Sequence, residues 1–101
     1  MQRQGDILLI PIDELPEGFG EKPRINGEII LAYGEVTGHK HAIKDSGVRW
    51  FGHVNGAQVV KAENVFRLNH EEHATLTYEA GYHRVVRQYE ATAADLRQVR
   101  D

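Results

Sequence analysis

The chain has 101 residues, of which 41% are hydrophobic and 27% charged, with a net charge of −3 and no cysteine. Those values describe one globular domain and exclude a disulfide scaffold, a thiolate zinc finger and a cysteine nucleophile. The basic residues are scattered, which argues against a nucleic-acid partner. No apolar run has the length of a membrane span and the first residues lack a signal-peptide pattern, so the expected compartment is the cytoplasm, with no membrane partner.

Taken in chain order, the pattern predicts strands. After Gly5-Asp6, the apolar run Ile7-Leu8-Leu9-Ile10-Pro11-Ile12 predicts a strand buried on both faces. Pro11 has no N–H to donate and belongs at the end of its ladder or on a sheet edge. Residues 13 to 24 contain Pro16, Gly18, Gly20 and Pro23 and read as a loop. Asn26-Gly27, between Arg24-Ile25 and Glu28-Ile29-Ile30-Leu31-Ala32-Tyr33, predicts a type I′ hairpin, because both central residues of that turn need positive φ. Asn55-Gly56 repeats the signal between Val48-Arg49-Trp50-Phe51 and Gln58-Val59-Val60-Lys61. Glu79-Ala80-Gly81 predicts a third hairpin joining residues 74–78 to 82–86. Turns at this spacing, with no long amphipathic helix between them, predict one all-β domain over residues 1–101, a small barrel or sandwich built from hairpins. Thr92-Ala93-Ala94-Asp95 resembles a capping box and predicts a short C-terminal helix over 92–100, with Leu96 and Val99 packing on one side. Trp50, Phe51 and Phe66 read as core aromatics.

Four of the six histidines form two tight pairs, His39 with His41 and His70 with His73. Neutral imidazole is a common ligand for zinc, nickel and iron. His39 and His41 are two apart, so on a strand both rings face the same way. Asp45, four residues on, could add a carboxylate or orient a ring. His70 and His73 are three apart, a spacing that brings side chains together on a helical turn, with Asn69 as its cap. Glu71 and Glu72 lie between them as candidate general bases. The zincin motif needs its histidines four apart on a helix, so a metalloprotease is not supported. His83 opens the last strand and is a further candidate ligand, and His53 sits beside the Asn55-Gly56 turn.

Arg3-Gln4-Gly5-Asp6-Ile7-Leu8-Leu9, Gly34-Glu35-Val36-Thr37-Gly38-His39-Lys40-His41, His70-Glu71-Glu72-His73 and Val86-Arg87-Gln88-Tyr89-Glu90 together resemble a small, uncharacterised bacterial and phage family. The chain also resembles the cupin superfamily, small β-barrels that hold a metal through histidines and an acid. Gly34, His39, His41 and Asp45 follow the order of the first cupin motif, with Asp45 in the place of glutamate. Glu79-Ala80-Gly81-Tyr82-His83 is similar to the second motif, without its proline and one residue short before the histidine. This resemblance implies a barrel, with Asp45 and His83 as additional ligands.

The expectation is a small β-domain binding one divalent transition metal (zinc, nickel, iron or manganese) through His39, His41, His70 and His73. An open coordination position would make it a metal enzyme with Glu71 or Glu72 as base, and a closed shell would make it structural or a metal store. The alternative is a non-enzymatic accessory or interaction module without metal, phage-associated, exposing a sheet edge or assembling as a homo-oligomer.

Overall fold

The computed structural model describes residues 3–33 and 39–87. Among them are ten strands and no helix: β1 (Arg3–Gln4), β2 (Ile7–Ile12), β3 (Gly20–Lys22), β4 (Ile29–Tyr33), β5 (Lys40–Ile43), β6 (Val48–Gly52), β7 (Gln58–Ala62), β8 (Phe66–Leu68), β9 (Leu76–Tyr78) and β10 (Gly81–Arg87). Six form one antiparallel sheet in the order β1-β2-β10-β7-β6-β3, while β4-β5 and β8-β9 are separate pairs. The expected C-terminal helix over 92–100 lies outside the described residues.

The first strand pair sets up everything that follows. Gln4 faces Ile7 across a two-residue turn, and of its central residues only Gly5 has positive φ, at 59°. That is the type II′ pattern, which calls for glycine in the first central position. Along β2, Ile7 and Leu9 enter the main core, whereas Leu8 and Ile10 point to the opposite face and pack with Val86. All four apolar side chains are buried, as the unbroken apolar run predicts. Removing four such side chains from water contributes about 1.5–3 kcal/mol each. Among the described residues Pro11 pairs only with His83 of β10, and none pairs with its other side, where a missing N–H costs nothing.

The main core joins side chains from all three sheets. Ile29, Leu31 and Ala32 of β4, Ile43 of β5, Val48 and Trp50 of β6, Val60 and Ala62 of β7, and Phe66 and Leu68 of β8 meet Ile7 and Leu9 in it. Trp50 and Phe51 are buried as expected. The Trp50 indole N–H donates to Gln58 Oε1 at 2.8 Å, and the Gln58 amide donates in turn to the Leu31 carbonyl at 3.0 Å. That chain satisfies the one polar atom of the tryptophan and ties the large sheet to β4.

Several expectations are corrected. The described strands do not close into a barrel: β1 and β3 end the large sheet and do not pair with each other. Residues 13 to 24 are not all loop, since β3 pairs with β6 from Gly20 opposite Gly52 to Lys22 opposite Trp50. Its side chains are all exposed, so it left no apolar alternation to read. Asn26-Gly27 does form the expected turn, with φ of 51° and 80° and reciprocal bonds between Ile25 and Glu28. Beyond it the run 29–33 pairs with β5 instead of Arg24-Ile25.

Asn55-Gly56 joins β6 to β7 as expected, yet by another turn. Only Gly56 has positive φ, at 91°. Its N–H donates to the His53 carbonyl, and the His53 N–H donates to Ala57, a three-residue connection ending in a left-handed glycine. Residues 79–81 are not a hairpin. β9 pairs with β8, and β10 pairs with β2 and β7, so the chain turns a corner there from one sheet to another.

Candidate metal centre

The two histidine pairs meet, and backbone pairing brings them together. His41 lies on β5 and is 3% exposed. Next to it, Ala42 exchanges both backbone hydrogen bonds with Asn69, at 2.8 and 2.9 Å. Asn69 opens the connection between β8 and β9 that carries His70 and His73, so this bridge sets that connection beside His41. Ring centroids stand 4.4 Å apart for His41 and His70, 4.6 Å for His70 and His73, 5.8 Å for His39 and His70, and 6.1 Å for His41 and His73. With metal–nitrogen bonds of about 2.0–2.1 Å, imidazole centroids around one tetrahedral ion stand roughly 5 Å apart. The cluster has that dimension. Its ring orientations do not yet converge: among the described residues no group of three or more His, Asp or Glu side chains is arranged, as it stands, to hold an ion.

The expected helical turn at 70–73 is a bend between two strands. Asn69 is no helix cap; its side chain donates to the Ala42 carbonyl at 3.3 Å and accepts from Thr75 Oγ1 at 3.4 Å.

The residue that organises the cluster is Gln4, 1% exposed on β1. Its amide nitrogen donates to the carbonyls of Leu68 and Ala74, both at 2.9 Å. These residues flank the connection that carries His70 and His73, so one amide clamps both ends of it. Carbonyls only accept, so the amide cannot be flipped, and its oxygen must face His41 Nδ1, 2.8 Å away. An amide oxygen also only accepts. His41 therefore carries a proton on Nδ1, and Nε2 is the nitrogen left to bind. Burial, then repulsion from His70, pushes the His41 pKa down to about 4, so the ring is neutral near pH 7.

The turn after Gln4 completes this wall. A Cβ on Gly5 would stand 3.0 Å from His73 Nε2 and 3.3 Å from His41 Cε1, so a side chain there would crowd both rings as well as strain a backbone at positive φ. Asp6 Oδ1 is 3.8 Å from His41 Nε2, and Asp6 Oδ2 accepts from Arg87 Nη2 at 2.8 Å. Gln4, Gly5 and Asp6 were not among the residues singled out from sequence as site candidates. The signal was present, because Gly-Asp between two extended segments is a type II′ hairpin signature.

The remaining candidates divide. His70 Nδ1 accepts the Glu72 N–H at 3.0 Å, which puts its proton on Nε2, the reverse of His41. His39 Nδ1 is 3.3 Å from Glu72 Oε1 without the alignment of a hydrogen bond. Glu71 accepts the Lys40 N–H at 2.8 Å, and that bond holds its carboxyl below the usual range, a poor setting for a general base. Asp45 is away from the cluster, held by the Arg67 backbone N–H and guanidinium at 3.1–3.3 Å. His83 is buried elsewhere, its ring against Phe66 and Tyr78 and its Nε2 donating to the Glu79 carbonyl at 2.9 Å. The Gly34–Gly38 part of the cupin-like motif lies outside the described residues. No helix among the described residues is long and apolar enough to cross a membrane.

The fold and site together define an all-β domain of antiparallel sheets around a clamped imidazole cluster. A family model described as Domain of unknown function (DUF8820) matches residues 3–88, and the chain belongs to that family. The matched span begins just before Gln4 and takes in all four clustered histidines. No curated protein and no solved structure matches the chain.

Proposed function

We propose that this domain binds one divalent transition metal ion through the histidine cluster, with His41 as the anchoring ligand. The observation that carries this reading is the Gln4 clamp. An amide with no alternative orientation takes up Nδ1 of a buried imidazole and leaves Nε2 as its free nitrogen, and burial keeps that ring neutral. Orientation of a ligand imidazole through its other nitrogen is the usual support of a metal-binding histidine. Zinc, nickel, iron and manganese all accept imidazole with carboxylate or water. Ligation by His70 requires it to exchange its present bond with the Glu72 N–H, so ion binding reorganises the 70–73 bend. Metal analysis of untagged protein tests the reading: near-stoichiometric metal supports it, and none after supplementation removes it. If metal is present, the visible spectrum of the cobalt form, read before and after azide addition, separates an open position from a closed shell.

A second reading is an interaction module without metal, favoured by one feature of the surface beside β3. Ile25, Tyr33 and Val54 are exposed and line a cavity of about 600 Å³ beside Lys22 and Trp50, next to β3, which among the described residues pairs on one side only.

A further inference from the structure

We infer that Asp6 is a carboxylate ligand of the same ion, opposite His41, so that the ion ties the β1–β2 turn to β5. This rests on the metal-binding reading and extends it to a residue outside both histidine pairs. Among the described contacts, the Gln4-Gly5-Asp6 turn sets a carboxylate oxygen against an imidazole nitrogen. Gln4 occupies His41 Nδ1, which leaves Nε2 as the nitrogen facing the turn, and Asp6 Oδ1 stands 3.8 Å from it. That separation is too long for a hydrogen bond.

An ion bonded at about 2.0–2.2 Å to both a histidine nitrogen and a carboxylate oxygen holds those atoms roughly 3–4 Å apart, depending on the angle between the bonds. The observed gap is within that range. Arg87 holds the other carboxylate oxygen at 2.8 Å, which fixes the direction of Oδ1 and leaves it for the ion. Gly5 lets the turn approach this closely, as a side chain there would press on His73 and His41. The side chain of Asp6 is 39% exposed, so an ion can enter from this side without opening the core. A carboxylate in the shell lowers its net charge by one and favours zinc, iron or manganese over softer ions such as copper(I).

The test compares untagged wild type with Asp6→Asn, Asp6→Glu and His41→Ala by titration with cobalt and zinc. Asp6→Asn is expected to weaken cobalt binding by about tenfold or more and to change the visible spectrum, while Asp6→Glu regains part of the affinity. In wild type the carboxyl-carbon NMR signal of Asp6 should shift on zinc addition, a measurement that needs no variant to fold. If His41→Ala loses metal while Asp6→Asn binds with wild-type affinity and spectrum, Asp6 is not a ligand and the histidine site stands. If wild type binds neither ion, both the ligand assignment and the metal-binding reading fall.

Discussion

Replacing Gln4 with methionine removes the clamp while keeping the length and near-volume of the side chain. Three hydrogen bonds disappear: two from the amide to Leu68 and Ala74, and one from His41 Nδ1 to the amide oxygen. Ala74 is exposed, so its carbonyl regains water. The Leu68 carbonyl and the His41 Nδ1–H lie beside fully buried side chains and do not. Each buried polar group left unpaired costs about 1–3 kcal/mol, which gives about 2–6 kcal/mol. Burial of the methionine returns part of that as apolar contact, and the expected net loss is about 2–4 kcal/mol. A domain of this size has about 5–15 kcal/mol in total, so the variant should fold and be measurably weakened.

Urea unfolding followed by circular dichroism reads the first consequence as a midpoint lowered by about 1 M or more. Nitrogen NMR of the imidazoles reads the second. In wild type His41 should carry its proton on Nδ1, and in the variant that preference should be lost. A variant within about 0.5 kcal/mol of wild type, the range of an ordinary surface change, would refute the clamp. So would an Nε2–H tautomer for His41 in the wild-type protein.

Gly5→Ala places a Cβ 3.0 Å from His73 Nε2 at φ 59°; the left-handed backbone alone costs about 1–2 kcal/mol, and metal affinity should fall with stability, as calorimetric titration will report. His41→Ala and His73→Ala should each lower metal content, and the double variant should add little, since groups holding one ion are not additive; full metal retention in either single variant removes that residue from the ligand set. The metal-free chain should lose stability in acid. His41 is pushed down to about 4 by burial and His83 is lowered by burial too, so the unfolded chain takes up protons first. Stability is therefore complete above pH about 6.5 and declines as pH falls toward 4, by about 3 kcal/mol for His41 at 1.36 kcal/mol per unit. Urea midpoints that stay flat from pH 7 to pH 4 would contradict the buried neutral state.

How much of this was legible in the chain depends on whether the information was local. The Asn26-Gly27 turn was readable because both residues need positive φ wherever they sit, and the buried strand β2 because its apolar run has no polar interruption. The histidine pairs were readable as pairs, since their spacings are local, but the helical turn expected at 70–73 was not formed, and their meeting depends on the pairing of Ala42 with Asn69, which no local window contains. The partner of β9 was not. Turn residues at 79–81 say that the chain bends, whereas pairing is decided by which apolar faces meet, and Phe66 and Leu68 lie in the same core as Tyr78. Asn55-Gly56 bent the chain as expected, but Asn55 is not at positive φ and its Oδ1 accepts the Ala57 N–H, which composition does not reveal.

Gln4 is the case where sequence-based reasoning falls furthest short, and the reason is physical. A glutamine near the start of a chain reads as surface, because its amide is usually hydrated. Here it is buried on the strength of partners 37, 64 and 70 residues away, and no local window contains them. Once those partners are known, hydrogen-bond arithmetic leaves no freedom. Two carbonyls require the amide nitrogen, the oxygen then requires a donor, and among the described residues that donor is His41 Nδ1–H. Burial keeps the ring neutral near pH 7, and Nε2 is then the nitrogen with the lone pair. The chemistry proposed for this domain thus begins with a proton whose position is dictated by a residue that binds nothing itself.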